Sequence, residues 1–238
     1  MEVQDNNQRL DANALAAIAA YGAKAHWPEG FSIYEKGSPA DGMFVVLSGS
    51  IVLRTAKAKR KFVPAIAFEG ETFGLEGLSP GLSYVTDAQS VEPSDTLHIN
   101  GSRFRALLRE QPVHALAVIA QAFAERAALL ERMHEFSASS VDERMTSALL
   151  RLFEGRTRPQ EDRLVLRPAD HRLLCEMVGA TRESVTHALA RLISTGVAER
   201  DGSTFLLSRT GLLNERRPDR VRHDRHVERE AVVEARPG

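Results

Sequence analysis

The sequence predicts an α+β protein: an N-terminal antiparallel β-roll, a long helix, and a C-terminal winged helix-turn-helix. Three observations carry this. Between His26 and Ile99 many short strand-like segments are punctuated by glycine, as in a compact antiparallel barrel or roll. From Val113 to Phe136 a helical pattern runs without glycine or proline. Residues Asp170 to Thr204, DHRLLCEMVGATRESVTHALARLISTGVAERDGST, read as helix, tight turn, helix and hairpin.

In chain order, Leu10 to Gly22 (LDANALAAIAAYG) predicts a short amphipathic helix. Strands are expected at Phe31–Tyr34, Met43–Leu47, Ser50–Leu53, Phe62–Phe68 and Leu97–Ile99. Turns are expected at Lys36–Pro39, Asp41-Gly42, Leu47–Ser50 and Leu78–Gly81. Ser102 to Glu110 is a short helix that Pro112 should stop. In the long helix, Leu116, Ile119, Phe123, Leu130 and Met133 recur at spacings of three and four, and Arg126 fills the remaining position. That approaches an a/d heptad seam, which pairs a helix with another helix, here that of a second copy. Packing of the stripe on the roll alone is the alternative.

Ser137 to Ser140 reads as a polar hinge, and Val141 to Glu154 as a helix with Met145, Ala148, Leu149 and Leu152 on its apolar face. A polar loop, Gly155 to Asp162, leads to a short strand at Leu164–Leu166 and then to Pro168. Asp170 is the N-cap candidate for the next helix, whose apolar residues are Leu173, Leu174, Met177 and Val178. Gly179 stands at the sharp turn, where a positive φ is needed. Thr181 can cap the following helix, whose apolar face is Val185, Leu189, Leu192 and Ile193. Arg182, Glu183, Thr186 and His187 are left to point outward, as the recognition helix of a helix-turn-helix presents its first turns to a DNA groove. Val197–Arg200 and Ser203–Leu207 about an Asp201-Gly202 turn form the hairpin of the wing. Asn214 to Gly238, dense in arginine and acid, is expected to be a disordered mixed-charge tail. The boundaries that follow are 10–111 for the roll, 112–137 for the long helix, 138–213 for the winged region and 214–238 for the tail.

Composition narrows the function. The 238 residues, 43% hydrophobic and 26% charged, suit two modest globular domains. A single cysteine, Cys175, rules out disulfides within the chain and leaves too few ligands for an iron–sulfur cluster or a cysteine-ligated zinc. No apolar run is expected to approach the roughly 20 residues that span a bilayer. The polar start, MEVQDNNQRLD, does not resemble a secretory signal, so a cytoplasmic protein without a membrane partner is expected. With a net charge of −1, any DNA-binding surface must be a local cluster. A nucleotide-cradling glycine loop, metal-ligand spacing and a G-x-S-x-G nucleophile motif are all missing, so an enzyme is not expected.

The order of roll, long helix and winged helix-turn-helix resembles the CRP/FNR superfamily of bacterial transcription regulators over about residues 15 to 210. FSIYEKGSPADGMFVVLSGSIVL, with Gly37, Gly42 and Gly49, is similar to that family's cyclic-nucleotide-binding-like sensor domain. VGATRESVTHALARL is similar to its turn and recognition helix. The resemblance implies that Arg182 reads guanine, since its fork matches O6 and N7, and that Glu183 accepts from cytosine N4. His187 stands where the family often has a second base-reading arginine. Thr181 and Ser184 at the helix start, with His171 and Arg172 on the preceding helix, become candidates for phosphate contacts.

The sensor departs from the family pattern. Cyclic-nucleotide binders of this family carry a Phe-Gly-Glu turn and, about nine residues later, an arginine followed by a hydroxyl residue; here the text is FGLEGLSPGLSYVTDA. Phe73 and Gly74 fit, but Leu75 falls at the glutamate, Tyr84 at the arginine and Val85 at the hydroxyl. Glu76 comes one residue late. A buried phosphate without a cation is uncompensated, which argues against cyclic AMP bound in the usual mode. Candidate effector contacts are Gly74, Glu76, Tyr84 and, on the helix that the family's ligand touches, Arg126. His26, His98, His114 and His134 are too scattered to suggest haem or metal. No cofactor is required; a cyclic dinucleotide, or no effector at all, stays open. The implied partners are a second copy, double-stranded DNA with a two-fold site read by helices about 34 Å apart, and, for activation, RNA polymerase. The rival reading is a ligand-binding or protein-interaction module whose winged domain contacts protein.

Overall fold

Alternation along the strands closes two antiparallel sheets upon each other. The structure is a computed structural model describing residues 9–57, 60–158 and 160–216, and it divides between Ala138 and Ser139 into two compact units. Strands of the first unit are β1 (Ala23–Trp27), β2 (Ser32–Tyr34), β3 (Gly42–Ser48), β4 (Ser50–Lys57), β5 (Arg60–Phe68), β6 (Thr72–Phe73), β7 (Asp87–Ser90) and β8 (Ser94–Asn100). They pair in the orders β1-β8-β3-β6 and β2-β7-β4-β5. β3 shows why the roll has two cores. Because side chains alternate faces, Phe44 and Val46 point inward among Ile51, Leu53, Phe73 and Ala88, whereas Met43 and Val45 point outward. The outward pair packs against Ile18, Phe104, Leu107, Ala115 and Val118 of the helices.

Those helices are α1 (Ala12–Ala19), α2 (Gly101–Glu110) and α3 (Pro112–Ala138). Asp11 caps α1 by accepting from Ala14 N at 2.7 Å, and Asn100 caps α2 by accepting from Arg103 N at 3.0 Å. Pro112 opens α3 rather than merely stopping α2, because a first helical residue needs no N–H partner. The expected hinge is also shorter, since Ser137 and Ala138 belong to α3. Gln121 anchors α3 to the roll: its Oε1 accepts from Thr72 N at 2.8 Å, and its Nε2 donates to Gly70 O at 2.9 Å.

Leu116, Phe123, Leu130 and Met133 are between 57% and 68% exposed along α3. Ile119, expected on the same seam, is half-buried against the core of the roll. With apolar residues on both faces, α3 is long and apolar enough to cross a membrane by length and composition, contrary to the sequence expectation. Gln121, Glu125 and Arg126 interrupt the stretch, and a lone helix of this kind is weak evidence of a span.

The second unit comprises α4 (Val141–Arg156), β9 (Arg163–Leu166), α5 (Asp170–Val178), α6 (Arg182–Ser194), β10 (Ala198–Asp201), β11 (Thr204–Ser208) and α7 (Arg209–Glu215). A capping box starts α4: Ser140 Oγ accepts from Glu143 N, and the Glu143 carboxylate accepts from Ser140 N at 2.7 Å. Met145, Leu149, Leu152, Phe153, Leu173, Leu174, Val178, Val185, Leu189, Leu192 and Leu212 are buried in this unit. Three expectations are corrected. Ala169, not Asp170, precedes α5, and Asp170 is a buried first-turn residue. The wing's sheet runs β10-β11-β9, and Asp201 pairs with Thr204, so Gly202-Ser203 rather than Asp201-Gly202 is the turn's central pair. Asn214 and Glu215 belong to α7, which the fully buried Leu212 pins down; the rest of the expected tail, 217–238, lies outside the described residues.

Candidate functional site

The reading head is built by one turn and one cap. Gly179 ends α5 at φ +66°, where its N–H and that of Ala180 both donate to Cys175 O, so the chain reverses without a Cβ clash. Thr181 then caps α6, its Oγ1 accepting from Ser184 N at 3.2 Å. Val185, Ala188, Leu189 and Leu192 are buried beneath α6, which turns Arg182, Glu183, Thr186 and His187 to solvent. Ile193, expected on the buried face, is instead partly exposed. Glu183 is held ionised: its own backbone N–H at the helix start, then the Thr181 hydroxyl, keep its carboxyl below the usual glutamate range. A carboxylate acceptor beside a guanidinium donor can discriminate base edges in a major groove.

On α5, the exposed Arg172 lies 4.0 Å from Glu176 Oε1 and keeps its guanidinium toward solvent. His171, expected as a second phosphate contact, is half-buried and faces Thr186 and Cys175. Burial pushes the Cys175 thiol up, with the Arg182 charge opposing.

In the roll, aromatic rings cluster about the expected effector residues Gly74 and Tyr84. Tyr84 is buried and stacks on Tyr34 with ring centroids 3.7 Å apart and planes 10° apart. Phe44 stacks on Phe73 at 4.9 Å. Gly74, at φ +67°, sits beneath them: a Cβ there would lie 3.1 Å from Tyr84, 3.2 Å from Tyr34 and 3.3 Å from Phe44. The Tyr84 hydroxyl shares its one proton between Gly42 O at 2.8 Å and Asp41 Oδ1 at 3.0 Å; burial first, then that carboxylate, pushes its pKa up to about 12.

Leu75, at the glutamate position, turns away to pack against the helix-side core. Glu76 Oε1 accepts from Val85 N at 3.4 Å. The Tyr34 hydroxyl is raised by burial, with Glu76 the next cause and Glu125 a smaller one. The structure thus brings Gly74, Glu76 and Tyr84 together; Arg126 is exposed on α3. Arg54 is the buried lysine or arginine of the roll among the described residues, and its Nη1 donates to Gln89 Oε1. Sequence reasoning missed Tyr34 and Asp41 as partners of Tyr84; an aromatic at the arginine position was the available signal.

Comparison with known proteins adds family assignments. Residues 24–111 match a model of the cyclic nucleotide-binding domain, and residues 143–215 match one of the Crp-like helix-turn-helix domain. The chain is 28% identical over 202 residues to the "Cyclic AMP receptor protein" of Thermus thermophilus, covering 82% of this chain and 88% of that protein. It is 21% identical over 204 residues to the "CRP-like cAMP-activated global transcriptional regulator" of Mycobacterium tuberculosis, covering 84% and 91%. The solved structure of CLP, the "c-di-GMP Responsive Global Regulator" of Xanthomonas campestris, superposes with a TM-score of 0.67 at 20% identity, covering 83% of this chain and 99% of that one.

Proposed function

The chain belongs to the CRP/FNR superfamily of transcription regulators and carries its helix-turn-helix DNA-binding domain, and for it we propose a sequence-specific homodimer whose α6 reads the major groove. The observation that carries this is the first turn of α6, where Arg182, Glu183 and His187 project to solvent above a buried face. Arg182 contacts guanine, Glu183 accepts from cytosine N4, and His187, shorter than arginine, alters the half-site preference. Thr181, Ser184 and Arg172 contact phosphates and position the helix.

Dimerisation uses Leu116, Phe123, Leu130 and Met133, with Ile119 at its edge. These large apolar side chains lie open along one helix, and an exposed apolar stripe of this kind marks an interface. A two-fold dimer implies a two-fold DNA site, and activation from it would require contact with RNA polymerase.

In the sensor, the Tyr34–Tyr84 stack and the surrounding carboxylates support control other than by cyclic AMP in the usual mode, since an uncompensated phosphate there would be costly. A cyclic dinucleotide carries two phosphates and would need a cationic site other than this stack, so its binding is tested alongside that of cyclic AMP. Selection of duplexes from a random library, followed by fluorescence anisotropy, tests the DNA reading. Arg182→Ala should cost about 1–3 kcal/mol against the selected site; unchanged affinity would refute the assignment. A thermal-shift series with cyclic AMP and cyclic di-GMP tests the sensor, and saturable stabilisation by cyclic AMP would overturn that part.

A further inference from the structure

A chain of polar contacts runs beside the reading head. The Thr186 hydroxyl donates to Arg182 O at 2.8 Å, a second bond to a carbonyl that the ladder of α6 also engages. His171 Nε2, on α5, lies 3.3 Å from the same hydroxyl oxygen, and His171 Nδ1 lies 3.7 Å from Cys175 Sγ. These distances fix the direction of donation. Thr186 has one proton and gives it to Arg182 O, so it must accept from His171, and Nε2 carries the hydrogen. In the neutral ring, Nδ1 is then the acceptor, and the Cys175 thiol is its donor. Burial raises the Cys175 pKa, which keeps that proton in place.

We infer that His171 is a positioning residue for base recognition: through Thr186 it ties α5 to the backbone of Arg182 and sets the angle at which that arginine meets the groove. The inference rests on Arg182 reading bases as proposed above. It differs from the role that the resemblance implies, since a phosphate contact carries no sequence information. Neither His171 nor Thr186 needs to touch DNA to act this way. His171 is tethered at both ring nitrogens, to Thr186 and to Cys175, so its ring is held as a strut between the two helices.

The test uses the full chain, a duplex selected from a random library and a scrambled duplex of equal length, with anisotropy at several salt concentrations. His171→Ala should lower the ratio of selected to scrambled affinity about three- to tenfold, the size expected of one hydrogen bond. The slope of log affinity on log salt should stay unchanged. Thr186→Val, which keeps the shape at an exposed position but removes the hydroxyl, should match it, and the double variant should be no worse than the poorer single one. His171→Gln, which retains a terminal N–H donor, should recover most of the ratio.

Equal weakening of both duplexes, with the salt slope shallower by about 0.9 for each phosphate no longer engaged, would make His171 a phosphate ligand and overturn the inference. Fully additive effects of the two substitutions would overturn it as well. If His171→Ala fails to fold, Thr186→Val and His171→Gln carry the comparison alone. Arg182→Ala run in parallel separates the two failures: if it preserves the ratio, the base-reading assignment falls and this inference with it; if it abolishes the ratio while His171→Ala and Thr186→Val do not, only the strut is wrong.

Discussion

Asp170→Ala should unfold the winged unit far more readily than any surface substitution. Asp170 is 4% exposed at the start of α5. Its Oδ1 accepts from Arg156 Nη1 at 2.9 Å, and its Oδ2 accepts from Arg167 N at 2.9 Å. The Arg156 side chain is itself only 13% exposed, so removing the carboxylate leaves a largely buried cation unpaired. Breaking a buried pair from one side costs about 3–5 kcal/mol. The part-buried Arg167 N–H loses its acceptor as well, and the 3.7 Å contact of Arg167 Nε with Oδ2 goes with it. A further ~0.3–1 kcal/mol goes with the carboxylate at the helix N-terminus.

Set against a total of about 5–15 kcal/mol for a domain, this is a large fraction. Trp27, the sole tryptophan, lies in the roll and does not report on this unit, so hydrogen exchange of the α5 and α6 amides is the suitable assay. Exchange of the slowest amides should accelerate roughly 200- to 20,000-fold, taking about 1.4 kcal/mol per decade. Asp170→Ala combined with Arg156→Met should exchange more slowly than Asp170→Ala alone, because the orphan charge is gone. Less than tenfold acceleration in the single variant, or a worse double variant, would refute the account of the pair.

Phe123→Glu with Leu130→Glu changes residues already open in the single chain, so it should leave the roll folded while weakening self-association at least about 100-fold; an unchanged sedimentation coefficient at micromolar protein would count against the α3 interface. Gly74→Ala forces an L-residue to φ +67° against three aromatic rings and should cost about 1–3 kcal/mol in urea unfolding followed by Trp27 fluorescence; a cost below ~0.5 kcal/mol would mean that the rings are not held as described. Asp162 is depressed below the usual aspartate range mainly by Thr210 N, with the Thr210 hydroxyl and Ser208 helping. A folded-state pKa below the unfolded one gives stability that is fully present above about pH 4 and lost as pH falls through the depressed value. Wild type should therefore exceed Asp162→Asn in stability at pH 6, with the gap closing as pH falls below the ordinary aspartate range of about 4; a gap that widened toward low pH would reverse the sign of the argument.

The fold was legible wherever apolar residues alternate or recur at helical spacing. Met43 to Leu47 and Phe62 to Phe68 announce β3 and β5 because both faces of the roll bury apolar side chains. β1 and β7 escaped notice for a physical reason. AKAHW is an edge strand with little buried surface, and DAQS buries only Ala88 and Ser90, so neither has a hydrophobic stripe to read. α7 was missed likewise, since RTGLLNE offers one fully buried residue, Leu212, and its helix is anchored by Asp162 from a distant loop.

The two candidate sites differ in legibility for a related reason. In the reading head, the buried residues fix which side of α6 faces out, so Val185, Leu189 and Leu192 suffice to place Arg182, Glu183 and His187 on the surface, although the apolar pattern puts Ile193 on the wrong face and omits Ala188. In the sensor, a position-by-position comparison could say that Tyr84 stands for an arginine, but not that its ring stacks on Tyr34, far back along the chain. His171 lies between these cases. Its backbone position on α5 was readable, yet its ring turns toward Cys175 one turn along the same helix and Thr186 on the next. The i,i+4 spacing of His171 with Cys175 and of Arg182 with Thr186 was present in the sequence, and only the packing of α5 against α6 joins the two pairs into one polar chain. If His171 braces Thr186 as inferred above, its Nε2–H is not free for a phosphate, and specificity would rest in part on residues that touch no base.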